Sequence, residues 1–219
     1  MRPVRLGLFD PEEDQPKFEP DLVGSVKYQA LSQDASLQAM TLLSNRHAAA
    51  PAAADAMGVL PLRTGKRIAV IGPASNMRTL MVGGTGAVLD SAEIVCKNAT
   101  DSDDWFCVQS PFEAIAAING NASTTLSIGA SIHPEKEANA SSLAQMMAEA
   151  IAAAEAADAV VFVIGDDWGT EHEGMDRTTI ELPGNQAELV SNVAAAVRGG
   201  VPLVSTSTAL GALCLSTMV

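Results

Sequence analysis

The residues best suited to chemistry lie in one short stretch, GDDWGTEHEGMDR, at residues 165–177. Arg177 is its one nearby cation among a cluster of carboxylic acids, namely Asp166, Asp167, Glu171, Glu173 and Asp176. Crowded carboxylates disfavour the ionisation of one member, and a glutamic acid kept protonated in this way can serve as a general acid. The alternative is a solvated acidic loop that binds nothing, because loops are usually polar surface.

An apolar run directly before the acids predicts the strand that positions them. Residues 159–164 read AVVFVI, and this β-branched and aromatic content over a short length indicates a strand buried on both faces. The acids begin after Gly165, at the carboxyl end of that strand, where open α/β sheets usually bind ligands. Trp168 stands among the acids, where its ring could face a sugar or simply pack at the rim of the site.

The other apolar patterns predict strands that alternate with helices. Further strands are expected at 67–71, 126–128 and 201–207. Amphipathic or capped helices are expected at 28–47, 111–118 and 141–157, and after Asn185, which has Glu188 at the spacing of a capping box. This alternation predicts an α/β fold, with a mostly parallel sheet flanked by helices on both faces.

Composition and charge limit the classes of partner. The chain has 219 residues, of which 47% are hydrophobic and 18% charged, as expected of a globular protein. Its 13 basic and 26 acidic residues give a net charge of −13, which argues against nucleic acid and anionic membranes as partners. No apolar run approaches the length of a membrane span, and the N-terminal residues lack the apolar core of a signal peptide.

The cysteines and the possible glycosylation sites bear on the compartment. Cys96 and Cys107 lie in one loop-like segment and could close a disulfide ring, but two free thiols are the alternative because spacing does not settle connectivity. Asn-x-Ser/Thr triplets at Asn98, Asn121 and Asn139 suit a secreted protein.

Metal and nucleotide sites find little support in the sequence. His47, His133 and His172 form no pair with metal-ligand spacing, although His172 stands between two glutamates. The turn at residues 72–73 follows a predicted strand but lacks the spaced glycines of a phosphate-binding loop. We therefore expect no metal and no cofactor.

These motifs together resemble glycoside hydrolase family 3, the β-glucosidase and β-xylosidase family. The run ADAVVFVIGDDWGTEHEGMDRTTIELPGNQAELV is similar to the second domain of that family, and the pairing of EHEGMDR with LPGNQ is its most specific part. RLGLFDP at residues 5–11 resembles the segment that leaves the first domain, a TIM-type barrel. RIAVIGPASN and SPFEAI also fit, most closely on the xylosidase side, and the resemblance covers nearly all of residues 5–206.

The resemblance implies a retaining mechanism with two carboxyl groups on different domains. An aspartate of the barrel attacks the sugar, and a glutamate of the second domain protonates the leaving oxygen and later activates water. By position, Glu171 matches this acid/base, with Glu173 as the alternative. Asp176 and Arg177 are expected to form a charge-assisted pair that fixes the loop.

The resemblance also implies a domain division. Residues 1–27 are expected to be a linker that leaves a missing barrel domain, and residues 28–219 a truncated α/β domain whose sheet is incomplete at the C-terminal end. The expected nucleophile would be absent with the barrel. We therefore expect the chain by itself to be inactive, although the family hydrolyses O-glycosidic bonds.

Two other functions stay open. As a non-catalytic module, the chain would present Glu171, Trp168 and Asp166 to a carbohydrate or to a separate barrel chain, and as an inactive fragment it would expose its sheet edge. A nucleotide-binding α/β protein ranks last. The expected partners are an oligosaccharide or glycoside substrate and the missing barrel domain, and the parent protein is expected to be secreted or extracellular.

Overall fold

The chain forms two compact units, Met1–Ser44 and Asn45–Val219. A computed structural model describes residues 2–14, 22, 25–45, 58–82, 107–136, 140–172, 174–197 and 203–208. The predicted residues Cys96 and Glu173 lie outside this set, as does the chain after residue 208. The predicted boundary between linker and α/β domain, at residues 27 and 28, falls inside a helix of the first unit.

Parallel strands form the sheet of the second unit. They are β1 (Ile68–Ile71), β2 (Thr124–Ser127), β3 (Ala159–Gly165) and β4 (Leu203–Thr208). Their order is β2-β1-β3-β4, and Ile68 of β1 aligns with Thr124 on one side and Ala159 on the other. Every residue of β1 and β3 is buried, as central strands covered on both faces require. The predicted α/β fold class is confirmed.

Helices α1 (Arg2–Arg5) and α2 (Val26–Ala39) belong to the first unit. The second unit contains α3 (Thr79–Val82), α4 (Pro111–Asn119), α5 (Ala140–Glu155) and α6 (Gln186–Ala196). Short 3-10 turns lie at Glu12–Asp14, Pro73–Asn76, Asn121–Ser123 and Pro134–Lys136. Within the described ranges, no helix has both the length and the apolar character needed to cross a bilayer.

Two apolar cores lie on opposite faces of the sheet, because alternate residues of a strand point to opposite sides. One core joins β1 and β3 to α5 and α6, through residues that include Ile71, Phe162, Ala154, Leu189 and Val193. The other joins the same strands to α4 and to the turn that follows β1, through residues that include Val70, Val163, Ala74, Phe112 and Ile115. Helices therefore cover both faces, as predicted.

Two local predictions about helices are wrong. Helix α2 ends at Ala39 and has no buried residue, whereas an amphipathic helix through residue 47 was expected to bury one face. A unit as small as Met1–Ser44 has little interior in which to bury such a face. Asn185 does lie at the predicted N-cap position of α6, but its side chain makes no cap bond, because its Oδ1 accepts from Ser131 N at 2.9 Å instead.

A capping box does form, but on α4. The Ser110 side chain accepts from Glu113 N at 3.2 Å, and the Glu113 carboxylate accepts from Ser110 N at 2.8 Å. Pro111 occupies the first turn, where its missing N–H costs nothing. The guanidinium of Arg78 bonds the Glu113 carboxylate and, as the largest cause, holds the pKa of that carboxyl below its usual range.

Candidate functional site

Asp166, Asp167, Glu171 and Asp176 lie at the carboxyl edge of the sheet, as predicted. All strands are parallel, so the segments that follow β1, β2 and β3 leave the sheet at this one edge. The segments after β2 and β3 meet there, through contacts made by Ser131 and His133. The site is therefore assembled from loops that are distant in sequence.

Gln186, the first residue of α6, connects the two ends of the loop between β3 and α6, here called the acid loop. Its Oε1 accepts from Gly165 N at 2.9 Å, and its Nε2 donates to Gly165 O at 2.7 Å and to Pro183 O at 2.8 Å. The side chain is fully buried, so these bonds form where water does not compete. Sequence reasoning gave Gln186 no role, although it begins the buried face that continues through Leu189 and Val193.

A tight turn from Asp167 to Glu171 presents the predicted acid/base. The Asp167 carbonyl accepts from Thr170 N at 3.0 Å and from Glu171 N at 3.2 Å. Its carboxylate Oδ1 accepts from Gly169 N at 2.9 Å, and its own N–H donates to Thr170 Oγ1 at 3.1 Å. The main chain at Glu171 is thus fixed by Asp167.

Arg177 lies between two carboxylates of the loop. Its Nε donates to Glu171 Oε2 at 2.7 Å, and its second terminal nitrogen is 3.4 Å from Asp166 Oδ2. The side chain of Asp166 is 0% exposed, that of Arg177 10% and that of Glu171 24%. Charges this buried are stable only when paired, so the three groups form one electrostatic unit.

Two predicted roles therefore need correction. Arg177 does form charge-assisted pairs, but with Asp166 and Glu171 instead of Asp176, which is exposed. Water already solvates Asp176, whereas the buried Asp166 needs a counter-ion. The predicted sugar contact of Asp166 does not fit either, because a side chain with 0% exposure offers a ligand no surface.

Trp168 lies on the outside of the same turn and is 43% exposed. The ring of His172 stacks on it, with 5.4 Å between centroids and 24° between planes. The Nδ1 of His172 is 3.1 Å from Trp168 O, and His172 pairs with Met175 in a short antiparallel bridge. Over the described parts of the chain, no group of three or more His, Cys, Asp or Glu residues is arranged to hold a metal ion.

His133 contacts this loop from the segment after β2, and sequence reasoning did not find it. Its Nε2 lies 2.9 Å from Asp167 Oδ1, and its Nδ1 lies 3.3 Å from Glu135 Oε1. The two residues of the Asp167 contact are 34 positions apart in the chain. No local pattern connects residues at such a distance, so only the tertiary structure could reveal the contact.

Comparison with known proteins identifies the family. The family model described as the glycosyl hydrolase family 3 C-terminal domain matches residues 40–212. The chain belongs to glycoside hydrolase family 3. The acid loop and the Gln186 tie both lie inside the matched range.

Curated relatives in the family are much longer than this chain. Beta-D-xylosidase 3 of Arabidopsis thaliana is 32% identical over 207 residues, which cover 93% of this chain and 22% of the relative. Beta-xylosidase/alpha-L-arabinofuranosidase 1 of Medicago sativa subsp. varia is 30% identical over 208 residues, with the same coverage of 93% and 22%. The chain therefore spans about a fifth of the length of the curated relatives it matches.

Solved structures of the family share the fold. A β-glucosidase involved in saponin metabolism from intestinal bacteria superposes with a TM-score of 0.62 at 23% identity, over 94% of this chain and 28% of the other. A family 3 exo-β-xylosidase in complex with a xylobiose aziridine activity-based probe superposes with a TM-score of 0.56 at 27% identity, over 93% of this chain and 22% of the other.

In this family 3 chain, Cys107 is disulfide-bonded. The predicted partner, Cys96, lies outside the described residues, so the Cys96–Cys107 pairing stays a prediction. The bond itself is typical of proteins that fold in an oxidising compartment.

Proposed function

We propose that this chain is the second domain of a retaining, exo-acting β-glycosidase of the β-xylosidase or β-glucosidase type, and that Glu171 is its general acid/base. The nucleophile would come from an N-terminal barrel domain. The observation that carries the proposal is the placement of Glu171, a half-buried carboxylate held 2.7 Å from Arg177 at the carboxyl edge of the sheet. The relatives named as β-xylosidases support the substrate class.

The geometry of Glu171 suits a proton relay at one oxygen. Oε2 accepts from Arg177, while Oε1 has no partner among the residues that the structure describes. Binding one oxygen fixes the plane of the carboxyl group and leaves the other for the leaving oxygen of a glycoside. In retaining enzymes the two carboxyl groups stand about 5–5.5 Å apart, so the barrel aspartate would have to approach to that distance.

The acid/base role is tested in the glycosidase that joins this chain to its barrel. We expect Glu171→Ala to lower kcat by about 10²–10⁴ on alkyl glycosides, which need a proton on the leaving oxygen. Dinitrophenyl glycosides should still form the glycosyl-enzyme, because their phenolate leaves without a proton. Azide should then restore turnover, because it attacks the intermediate without a general base.

Glu173→Ala, measured in the same way, decides between the two glutamates. Asp176→Ala is the matched control, since Asp176 is an exposed acid of the same loop. If azide rescues the Glu173 variant and not the Glu171 variant, the role of acid/base moves to Glu173. If neither variant shows the leaving-group dependence, the proposed function of the loop fails.

We also propose that the chain by itself does not hydrolyse glycosides, because one carboxyl group cannot carry out a double displacement. A nitrophenyl-glycoside assay of the purified chain should give no turnover above buffer. Turnover that is lost in the Glu171→Gln variant would overturn this part of the proposal.

A second candidate function is carbohydrate binding without hydrolysis, which the 43% exposure of Trp168 favours. An exposed indole face packs well on the apolar face of a sugar ring. Trp105 is the other tryptophan of the chain, so Trp105→Phe leaves Trp168 as the only indole that fluoresces. In this variant, titration with a xylo-oligosaccharide should change the fluorescence of Trp168 until binding saturates. Adding His172→Ala shows whether the stacked imidazole contributes to binding. An unchanged spectrum would remove the binding-module candidate.

We further propose that the parent protein is extracellular. The proposal rests on the disulfide of Cys107 and on the sequon at Asn121, which is exposed in the turn Asn121–Ser123. Protein purified from its natural source should lose mass on treatment with an N-glycosidase. An unchanged mass together with a reduced Cys107 would contradict the proposal.

A further inference from the structure

His133 lies outside the acid loop and contacts its central residue. Its Nε2 is 2.9 Å from Oδ1 and 3.1 Å from Oδ2 of Asp167. We propose that His133 is a positioning residue, which acts through Asp167 to hold the turn that presents Glu171. The catalytic meaning of this inference rests on the proposed function of Glu171.

Contacts outside the turn from Asp167 to Glu171 hold the main chain at His133 in place. His133 N donates to Ser131 Oγ at 3.1 Å. Ser131 N in turn donates to Asn185 Oδ1 at 2.9 Å, and Ser131 O accepts from Asn185 N at 3.3 Å. The imidazole is thus anchored to the start of α6, a rigid element of the core.

Asp167 transmits this support to the turn. Its Oδ1 accepts from Gly169 N at 2.9 Å as well as from His133, and its carbonyl accepts from the N–H groups of Thr170 and Glu171. Within the described ranges, His133 is the one residue from outside the loop whose side chain forms a hydrogen bond or ion pair with Asp167. The orientation of the Asp167 carboxylate, and with it the turn, therefore depends on the donor at His133 Nε2.

The fit around the imidazole is close on the side of the turn. A Cβ at Gly169 would lie 2.7 Å from His133 Nε2, so the turn packs directly on the ring. The opposite nitrogen, Nδ1, faces Glu135 at 3.3 Å, and that carboxylate is 65% exposed. These two acidic neighbours orient the ring so that Nε2 points at Asp167.

Hydrogen exchange on the purified chain tests the inference without any need for activity. His133→Phe keeps a ring and removes the donor, and His133→Ala removes both. We expect each to speed exchange of the Gly169, Thr170 and Glu171 amides at least about tenfold, because the charge-assisted bond that orders the turn is gone. The amides of β1 and β3 should speed up by no more than those of the turn, and the chain should still unfold cooperatively.

Two matched variants sharpen the measurement. His133→Gln places an amide donor near the position of Nε2 and should restore slow exchange in the turn. Glu135→Gln alters the other neighbour of His133 and should leave the turn unchanged. Unaltered turn amides in both His133→Phe and His133→Ala, or core amides that speed up more than the turn amides, would overturn the inference.

A second measurement connects the turn to chemistry. In the glycosidase that contains this chain, His133→Phe should lower kcat/KM on alkyl glycosides more than on dinitrophenyl glycosides, because kcat/KM reports the first step, in which only the alkyl leaving group needs a proton. Equal losses on both substrates would mean that His133 does not act through the acid/base. If the parent protein has no glycosidase activity at all, the proposed function fails, and the exchange experiment alone decides the role of His133.

Discussion

At the scale of single residues, Arg177 controls the charge of the site. It is held near two carboxylates and also donates to Glu181 O at 3.2 Å. A guanidinium suits this task because its planar fork of donors can serve several acceptors at once without losing its charge. Arg177 thus contributes both to the position of Glu171 and to the burial of the Asp166 carboxylate.

Replacing Arg177 should therefore destabilise the fold as well as the site. We expect Arg177→Met to lower the free energy of unfolding by about 3–5 kcal/mol, since it takes the guanidinium away from the buried carboxylate of Asp166. Asp176→Asn, at the exposed neighbouring acid, should change it by no more than about 0.5 kcal/mol. Urea unfolding of both variants measures the difference.

A double variant separates charge from packing. Asp166→Asn combined with Arg177→Met removes the buried carboxylate charge together with its guanidinium partner, so part of the lost stability should return. If Arg177→Met is no less stable than the Asp176→Asn control, the electrostatic unit of Asp166, Arg177 and Glu171 does not contribute to stability as argued.

At the scale of elements, close backbone contacts determine how the segment after β2 packs against the start of α6. Gly184 has φ +68°, and a Cβ there would lie 2.0 Å from Ser131 O. Gly65 has a similar φ of +75°, but a Cβ there meets nothing within 4 Å. The two glycines share the backbone strain that alanine would bring, and only Gly184 adds the clash.

These glycines give a controlled test of that contact. Gly65→Ala should cost about 1–2 kcal/mol from the left-handed backbone alone. Gly184→Ala should cost about 1–3 kcal/mol more, because the Ser131 segment has to move away. Thermal unfolding of both variants gives the difference, and equal losses would show that the segment can shift freely.

An ion pair at the opposite edge of the sheet links β1 to β3. Arg67 N donates to Asp158 Oδ2 at 3.0 Å, and the guanidinium of Arg67 contacts Oδ1 at 2.6 Å. The side-chain bond from Arg67 is the largest cause that lowers the pKa of Asp158 from 3.8 to about 2. A depressed pKa means that the pair stabilises the fold above pH 3.8 and that this contribution is lost as pH falls through about 2.

Asp158→Asn isolates this contribution. The stability difference between the wild-type chain and the variant should be constant above about pH 5 and shrink toward about pH 2, where the aspartate becomes neutral. Urea unfolding at a series of pH values checks it, and a difference that grows as pH falls would have the wrong sign.

At this scale, the sequence predicted the strands and helices that local patterns determine. The strands β1 and β3 followed from continuous apolar runs, and α4 and α5 from apolar residues at helical spacing. Cap chemistry was less certain because a local motif competes with tertiary partners. Asn185 has the right position for a cap, yet its side chain bonds Ser131, 54 residues away in the chain.

The candidate site was predicted only in part for the same reason. The position of the acids at the carboxyl edge followed from the strand before them. Their partners did not, since adjacency in sequence suggested Asp176 for Arg177, whereas burial selected Asp166. His133 and Gln186 reach the loop through the fold, and no spacing rule connects either of them to it.

At the scale of the whole molecule, apolar side chains are distributed unevenly between the two units. Leu31, Leu37 and Met40 of the first unit are 57%, 60% and 69% exposed. Leu189 of the second unit is fully buried in the core that joins β1 and β3 to α5 and α6. The free energy of folding should therefore come mainly from the second unit.

Truncation of one leucine in each unit tests this distribution. Leu37→Ala should change the free energy of unfolding by no more than about 0.5 kcal/mol. Leu189→Ala should lower it by about 2–5 kcal/mol, because it removes buried methyl groups and leaves a cavity. Calorimetry of the full chain measures both, and similar losses would mean that α2 packs more firmly than its exposure indicates.

The order of the strands also matters while the chain is being made. The edge of β1 that faces β3 stays unpaired until synthesis has passed Asp158, which is 91 residues after Arg67. Ribosomes add about 5–20 residues per second, so this apolar edge stays without its partner strand for roughly 5–20 s. An open strand edge of this kind pairs readily with other chains. We therefore expect the yield of folded protein to depend partly on how well chaperones cover the edge of β1 during its synthesis.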